Sequence, residues 1–314
     1  MQAPIPNPTA TRQLHAIQGG AADAESPAAD ESARDTSIGD ILRRAHDLSA
    51  GQVEQILAHQ REHGVRFGEA AVALKLIVDA DVLWALSQQF DYPYAADKER
   101  TLPPELVTAT QPFSERAEVF RSMRSQLIMR LADDPAAPTS RKRAIAVLSP
   151  DSGDGKTYFA ANLAIAFSQI GGRTLLIDAD MRNPRLHALF SVGAGAGLAG
   201  ILSGRSSSRV VHSVPDLPSL YVLPVGTLPP NPLELVERPA FALLIQELLQ
   251  KFDHVIADTP AAQFGADASV IAARCGAAVL IGRRDRSRIG ALQDLAALLA
   301  QTPARLLGTV LNER

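Results

Sequence analysis

At 314 residues the chain has room for one large domain and a small one, and aromatics at only 5% suit helices packed on a sheet better than a β-sandwich. Charged residues make up 21% and the formal net charge is −3, so no global basic field points to nucleic acid or anionic lipid. One cysteine, Cys275, excludes a disulfide framework and a thiolate metal site and fits a reducing, cytoplasmic setting, and no apolar run reaches the roughly 20 residues that span a bilayer.

Residues 1–35, rich in Pro, Ala, Asp and Ser without an apolar period, read as a disordered tail with no charged-then-apolar signal pattern. Residues 36–95 contain an internal repeat at an offset of 29, in which Gly39 matches Gly68, Asp40 Glu69, Leu48 Ile77, Val53 Val82, Leu57 Leu86 and Gln60 Gln89. Each copy predicts a short helix, a turn and a longer amphipathic helix, carrying Val53, Ile56 and Leu57 or Val82, Leu83 and Leu86. Two such copies bury one another's apolar faces in a small helical module. Residues 96–113, with Pro103, Pro104 and Pro112, read as a linker. A helix from Ser114, its N-cap, to Leu131 then opens a second domain over 114–314, and residues 133–140 form an exposed loop.

Apolar runs of strand length follow at Ala144–Leu148, Thr174–Ile177, Leu220–Val225, His254–Ala257, Ala277–Ile281 and Leu306–Leu311. Helical patterns lie between most of them, at Lys156–Ile170, Pro239–Phe252, Ala266–Ala273 and Ala291–Ala300. This alternation predicts an α/β fold: a mostly parallel sheet with helices on both faces. Ligands on such sheets bind at the carboxyl ends of the strands.

The first strand leads into S-P-D-S-G-D-G-K-T, residues 149–157, and directly into a helix, the setting a P-loop NTPase requires. Gly153 and Gly155 let the backbone wrap an anion with Asp154 between them, and the helix beginning at Lys156 adds its positive end. Lys156 suits β- and γ-phosphates of ATP, and the Thr157 hydroxyl suits Mg²⁺. Pro150 stands where the usual pattern has its first glycine. The second strand ends in D-A-D-M-R, which places Asp178, Asp180 and Arg182 at its carboxyl edge, and the fourth places Asp258 at its own. Carboxylates there need a counter-charge that Mg²⁺ and Lys156 provide; capping of the following helices is the alternative. The run R-R-D-R-S-R at 283–288 lies on the same edge; a role toward phosphate or an acidic partner competes with the ordinary reading, a solvated loop.

Together, S-P-D-S-G-D-G-K-T, L-L-I-D-A-D-M-R-N-P and V-I-A-D-T-P resemble the bacterial tyrosine kinases of capsule and exopolysaccharide systems, a branch of the MinD/ParA-like P-loop ATPases. P-V-G-T-L-P-P-N-P-L-E-L resembles a further segment of that branch, and Asp151 stands where partitioning ATPases carry their signature lysine. With the repeat module in front, the chain is similar to chain-length-determinant kinases of exosortase-linked clusters. The resemblance implies ATP-dependent transfer to tyrosine in control of exopolysaccharide chain length, polymerisation and export. Lys156 and Thr157 would hold phosphates and Mg²⁺, and Asp258 would support the metal. Asp178 or Asp180 would take the tyrosine proton, the other standing near the metal, with Asp178 preferred. Gly153, Asp154, Gly155 and Tyr158 would line the nucleotide, Arg182 would order its loop or meet phosphate, and Asn312 would contact adenine or simply end its strand. E-V-F-R-S-M-R, with Glu118, Arg121 and Arg124, resembles the helix through which the family forms rings. A separate transmembrane polysaccharide co-polymerase, a Wzz-like chain-length determinant, would activate the enzyme and hold it peripheral to the inner membrane.

The tyrosine-rich tail of the family is missing: the chain has four tyrosines, Tyr92, Tyr94, Tyr158 and Tyr221, and stops at L-N-E-R. A nucleotide-switched regulatory ATPase without kinase activity is therefore the alternative. The front module resembles the N-terminal domain of type II secretion ATPases, some of which bind cyclic di-GMP. Its second copy has Arg66-Phe67-Gly68, but the first has Ser37-Ile38-Gly39. A docking or purely structural role competes with sensing of the dinucleotide.

Overall fold

The computed structural model describes residues 37–89, 102–132, 142–205 and 210–313. The expected tail at 1–35, Tyr92 and Tyr94, the first part of the expected linker and the loop at 133–140 lie outside the described residues.

The repeat folds as the pattern predicts: α1 (Ile38–Ala45) and α2 (Ala50–His63) form the first copy, α3 (Phe67–Ala73) and α4 (Asp79–Gln89) the second. Equivalent positions start the helices with equivalent polar contacts. Gln52 Oε1 accepts from the Ser49 N–H at 2.9 Å, and its counterpart Asp81 accepts from the Val78 N–H at 2.9 Å. α1 packs on α4 and α2 on α3, so each copy covers the other. The equivalents Leu42 and Ala71, Leu48 and Ile77, and Ile56 and Ala85 are all buried. Leu57 departs from the predicted apolar stripe and is 41% exposed, because Ile56 and Val53 already fill the narrow seam.

Residues 102–113, expected as linker, are folded. Leu102, Leu106, Val107 and Ala109 enter the same core as the sheet, through α5 (Val107–Thr110). Buried Asn162 ties them down, accepting from the Thr108 N–H at 2.9 Å and donating to the Glu105 carbonyl at 3.0 Å. Ser114 caps α6 (Glu115–Ala132) as expected, its hydroxyl accepting from the Ala117 N–H at 3.2 Å.

The sheet has β1 (Ala144–Leu148), β2 (Thr174–Asp178), β3 (His212–Val214), β4 (Leu217–Leu223), β5 (His254–Asp258), β6 (Gly276–Arg283) and β7 (Arg305–Asn312), in the order β3-β4-β2-β5-β1-β6-β7. All neighbours are parallel except β3 and β4. β3 escaped the sequence pattern because it has three residues at a sheet edge, joined to β4 by a tight turn. Successive strand residues alternate between two cores, as a sheet covered twice requires. Ile145, Val147 and Ile256 face α5, α6 and α7 (Lys156–Ser168). Ala146, Leu148 and Ala257 face α9 (Leu198–Leu202), α10 (Pro232–Glu237), α11 (Pro239–Lys251), α12 (Asp267–Cys275) and α13 (Ile289–Ala300). A short helix, α8 (Leu186–Leu189), follows the loop after β2. α7 is buried along nearly all its length and is rich in alanine, which allows close packing both on the sheet and beneath α5 and α6. Cys275 is buried at the end of α12, where burial pushes its thiol up to about 12. Among the described residues no helix is long and apolar enough to cross a membrane.

Candidate functional site: a P-loop between acidic strand ends

The topology sets the site. β5 lies between β1 and β2, so Asp258 at its end stands between the loop after β1 and Asp178 at the end of β2. The loop itself turns through left-handed backbone at Gly153 (φ +86°) and Gly155 (φ +100°). A Cβ on Gly155 would collide with the Asn312 side chain. Pro150 is accommodated because its position needs only a carbonyl, which accepts from the Gln263 N–H at 2.9 Å. Asp154 shapes the loop, its Oδ2 accepting from the Asp151 N–H at 3.0 Å. Lys156 is buried with its Nζ donating to Ser149 Oγ at 3.1 Å.

Asp178 and Asp258 are buried and in register. Asp178 Oδ2 accepts from the Arg185 and Leu186 N–H groups at 3.1 and 3.0 Å, and Asp258 Oδ2 accepts from the Thr157 hydroxyl at 2.6 Å. The Oδ1 of each is buried without a hydrogen-bond partner. Burial, then the adjacent Asp258, hold the Asp178 carboxyl well above the ordinary carboxylate range. Burial pushes Asp258 up to about 7, against the pull of the Thr157 hydroxyl and Lys156. Two orphaned acidic oxygens beside a hydroxyl are the chemistry of a hard cation site. Among the described residues no cluster of three or more His, Cys, Asp or Glu suits a metal. A P-loop cation needs no such cluster, since phosphates and water complete its coordination. The residues present therefore fit Mg²⁺.

Asp180 Oδ1 is held by the N–H groups of Arg182 and Asn183 at 3.2 and 2.9 Å. The Arg182 guanidinium is engaged by both oxygens of buried Asp267, at 3.2 and 3.0 Å, which orders the loop after β2 against α12. Arg185 pairs with Glu105 at 2.7 Å on the other side. The expected Glu118, Arg121 and Arg124 lie on α6. Arg121 binds Glu118 at 2.7 Å and the Pro112 carbonyl at 2.6 Å, and Arg124 donates to the Ala166 carbonyl of α7 at 2.8 Å.

A cleft of about 550 Å³ opens beside the loop, lined by Phe120, Met123, Tyr158, Val310 and Asn312 among others. Asn312 Nδ2 donates to the Asp154 carbonyl at 2.9 Å, so it reaches the P-loop as well as the cleft. The arginine run is largely exposed, as its composition suggests, but two of its members also reach the P-loop: Arg283 Nη1 and Arg286 Nη2 donate to the Gly153 and Ser152 carbonyls, both at 3.1 Å. Charge runs rarely carry such information in sequence, because the contact joins residues over a hundred positions apart.

A family model described as the CobQ/CobB/MinD/ParA nucleotide binding domain matches residues 145–313. Tyrosine-protein kinase YwqD of Bacillus subtilis (strain 168) is 30% identical over 210 residues, 66% of this chain and 85% of its own. The chain belongs to the bacterial tyrosine-protein kinases. Tyrosine-protein kinase CpsD of Streptococcus agalactiae is 33% identical over 170 residues, 54% of this chain and 74% of its own. The crystal structure of the chimerical protein CapA2B2 matches with a TM-score of 0.61 at 33% identity, covering 73% of this chain and 97% of that one. Some relatives are much longer: the matched stretch is 27% of EpsB of Ralstonia solanacearum. As a kinase of this class the protein is a nucleotide-binding phosphotransferase. The cyclic di-GMP reading gains no support. The second arginine that a fork would need is Ser37, whose hydroxyl is spent at the start of α1 on the Asp40 N–H and carboxylate.

Proposed function

We propose that this kinase binds ATP with Mg²⁺ at the P-loop and transfers the γ-phosphoryl group to a protein tyrosine, in control of exopolysaccharide chain length, polymerisation and export. The observation that carries the reading is the convergence of Lys156, Thr157 and the two orphaned oxygens of Asp178 and Asp258 on one strand edge. Glycine-wrapped N–H groups and Lys156 bind the phosphates, Thr157 and Asp258, with Asp180 nearby, hold the cation, and the cleft at Tyr158 and Asn312 takes the nucleoside. Mg²⁺ supplies charge neutralisation on the phosphates. Asp178 acts as base: backbone N–H groups fix Oδ2, and Oδ1 takes the hydroxyl proton as the tyrosine oxygen bonds to phosphorus and ADP departs. Its raised proton affinity suits that role.

A separate membrane protein, of the chain-length-determinant kind, recruits the enzyme to the cytoplasmic face of the membrane and activates it. Copies assemble along α6 through Glu118, Arg121 and Arg124, where the exposed Val119 lies beside the ion pair of Glu118 and Arg121. Residues 36–95 act as a docking module ahead of the kinase domain. One observation favours a second reading, transfer to water alone: of the tyrosines described, Tyr158 packs on Phe120 and Tyr221 on Phe252, and both are half-buried. The test is mass spectrometry for phosphotyrosine after incubation with ATP and Mg²⁺, wild type against Lys156→Met, with the partner's cytoplasmic segment present. Phosphotyrosine in wild type alone supports transfer to protein; phosphate release without phosphotyrosine supports the second reading.

A further inference from the structure

Three consecutive P-loop carbonyls each accept a hydrogen bond from the end of β6, the loop after it or the end of β7. Ser152 O is bound by Arg286, Gly153 O by Arg283 and Asp154 O by Asn312, at 3.1, 3.1 and 2.9 Å. In a planar trans peptide the N–H of the next residue points opposite to the carbonyl. Holding these three oxygens outward therefore turns the N–H groups of Gly153, Asp154 and Gly155 away from the clamp, toward the hollow where phosphates sit. Two further facts show that the contact is built in. A Cβ at Gly153 would come within 2.9 Å of Arg286 Nη1, so the guanidinium lies directly against the turn. The arginine loop is itself tied down: Arg283 N–H donates to Ser287 Oγ at 2.7 Å and Arg284 N–H to the Asn312 carbonyl at 2.8 Å.

We propose that Arg283 and Arg286, with Asn312, are positioning residues that pre-orient the P-loop amides for the nucleotide phosphates and place two guanidinium charges at the loop's rim. The proposal rests on the P-loop being the phosphate site of the kinase reading above, but it concerns binding, not transfer. Without the clamp the peptides must be ordered on binding, at a cost in affinity.

Equilibrium binding of a fluorescent ADP analogue with Mg²⁺ to the full chain tests it, beside a phosphotransfer assay on the same samples. Losing one hydrogen bond from a charged donor should weaken binding about tenfold or more in Arg286→Ala, and further in the double variant Arg283→Ala/Arg286→Ala. Arg286→Lys should recover part of the loss. Arg284→Ala removes the same charge from the same run, but Arg284 binds Glu313 at 3.0 Å instead of the loop, and its affinity should match wild type. Melting without nucleotide should fall by only about a few degrees in any of them, since both contacts lie at the exposed rim of the loop. Wild-type affinity in the double variant overturns the proposal, as does an equal loss in Arg284→Ala, which would make the effect one of bulk charge. Wild type that binds the analogue but transfers no phosphate overturns the kinase reading alone and leaves this comparison intact.

Discussion

Asp178 and Asp258 face each other in register across β2 and β5, and each keeps one carboxylate oxygen buried without a hydrogen-bond partner. Two like charges in that setting repel and are poorly solvated, so the protein alone favours their protonated forms. A cation bound at those oxygens would reverse the preference and so couple ligand binding to protons.

Binding of a Mg²⁺ nucleotide near neutral pH should therefore release protons. Asp258 sits at about 7, and a cation at its free oxygen favours the ionised form. Calorimetric titration with Mg-ADP in buffers of different ionisation enthalpy should show net release around pH 7 that shrinks by about pH 9. Asp258→Asn should remove part of it. Identical heats in every buffer would count against this coupling.

Without nucleotide, the same carboxyls weaken the fold as pH rises. The folded state keeps protons that the unfolded chain has given up, so the cost is absent below the ordinary value of 3.8 and grows until about 7 for Asp258. The slope is about 1.4 kcal/mol per pH unit for one such group. Asp258→Asn should melt higher than wild type at pH 8, with the gap closing toward pH 4. A gap that widens on acidification would reverse the sign and refute the assignment.

The pair formed by Arg182 and Asp267 should matter for activity through the loop that holds Asp180. Asp267→Asn leaves a half-buried guanidinium without its counter-charge, costing about 1–3 kcal/mol in stability. The turnover number should fall more than the Michaelis constant for ATP rises. A double-mutant cycle with Arg182→Gln should show coupling; additive effects would mean that the contact is incidental.

In the helical module two glycines should respond with opposite sign. A Cβ on Gly68 would meet a Val82 methyl at 2.7 Å, so Gly68→Ala should destabilise by about 1–3 kcal/mol. Gly51 has open space around it within α2, and Gly51→Ala should stabilise by about 0.5–1 kcal/mol. Chemical denaturation of both variants decides the matter, and a loss at Gly51 would show that the packing there is misjudged.

Much of this protein is written locally. The offset of 29 announced the four helices of the module, because capping polar groups and buried apolar positions recur within reach of their own helix. Apolar runs announced six of the seven strands, and glycines before Lys156 announced the P-loop, since left-handed turns at Gly153 and Gly155 need no distant partner. Three-residue β3 and the folding of 102–113 were not legible: an edge strand and a proline-bearing segment acquire their structure from the surface that they meet, β4 in one case and Asn162 of α7 in the other.

The side chains at the site divide in the same way. Lys156 and Thr157 follow from their place at a helix start behind a glycine loop, and Asp178 and Asp258 from theirs at strand ends, all local properties. Which of them stand together was decided by the strand order, because β5 inserts between β1 and β2 and carries Asp258 to Thr157 across 101 residues of sequence. The partners of Arg182, Arg283 and Arg286 were decided there too. A guanidinium on a flexible stem has no preferred contact in its own segment, so only the packed sheet edge selects a carboxylate for one and P-loop carbonyls for the others.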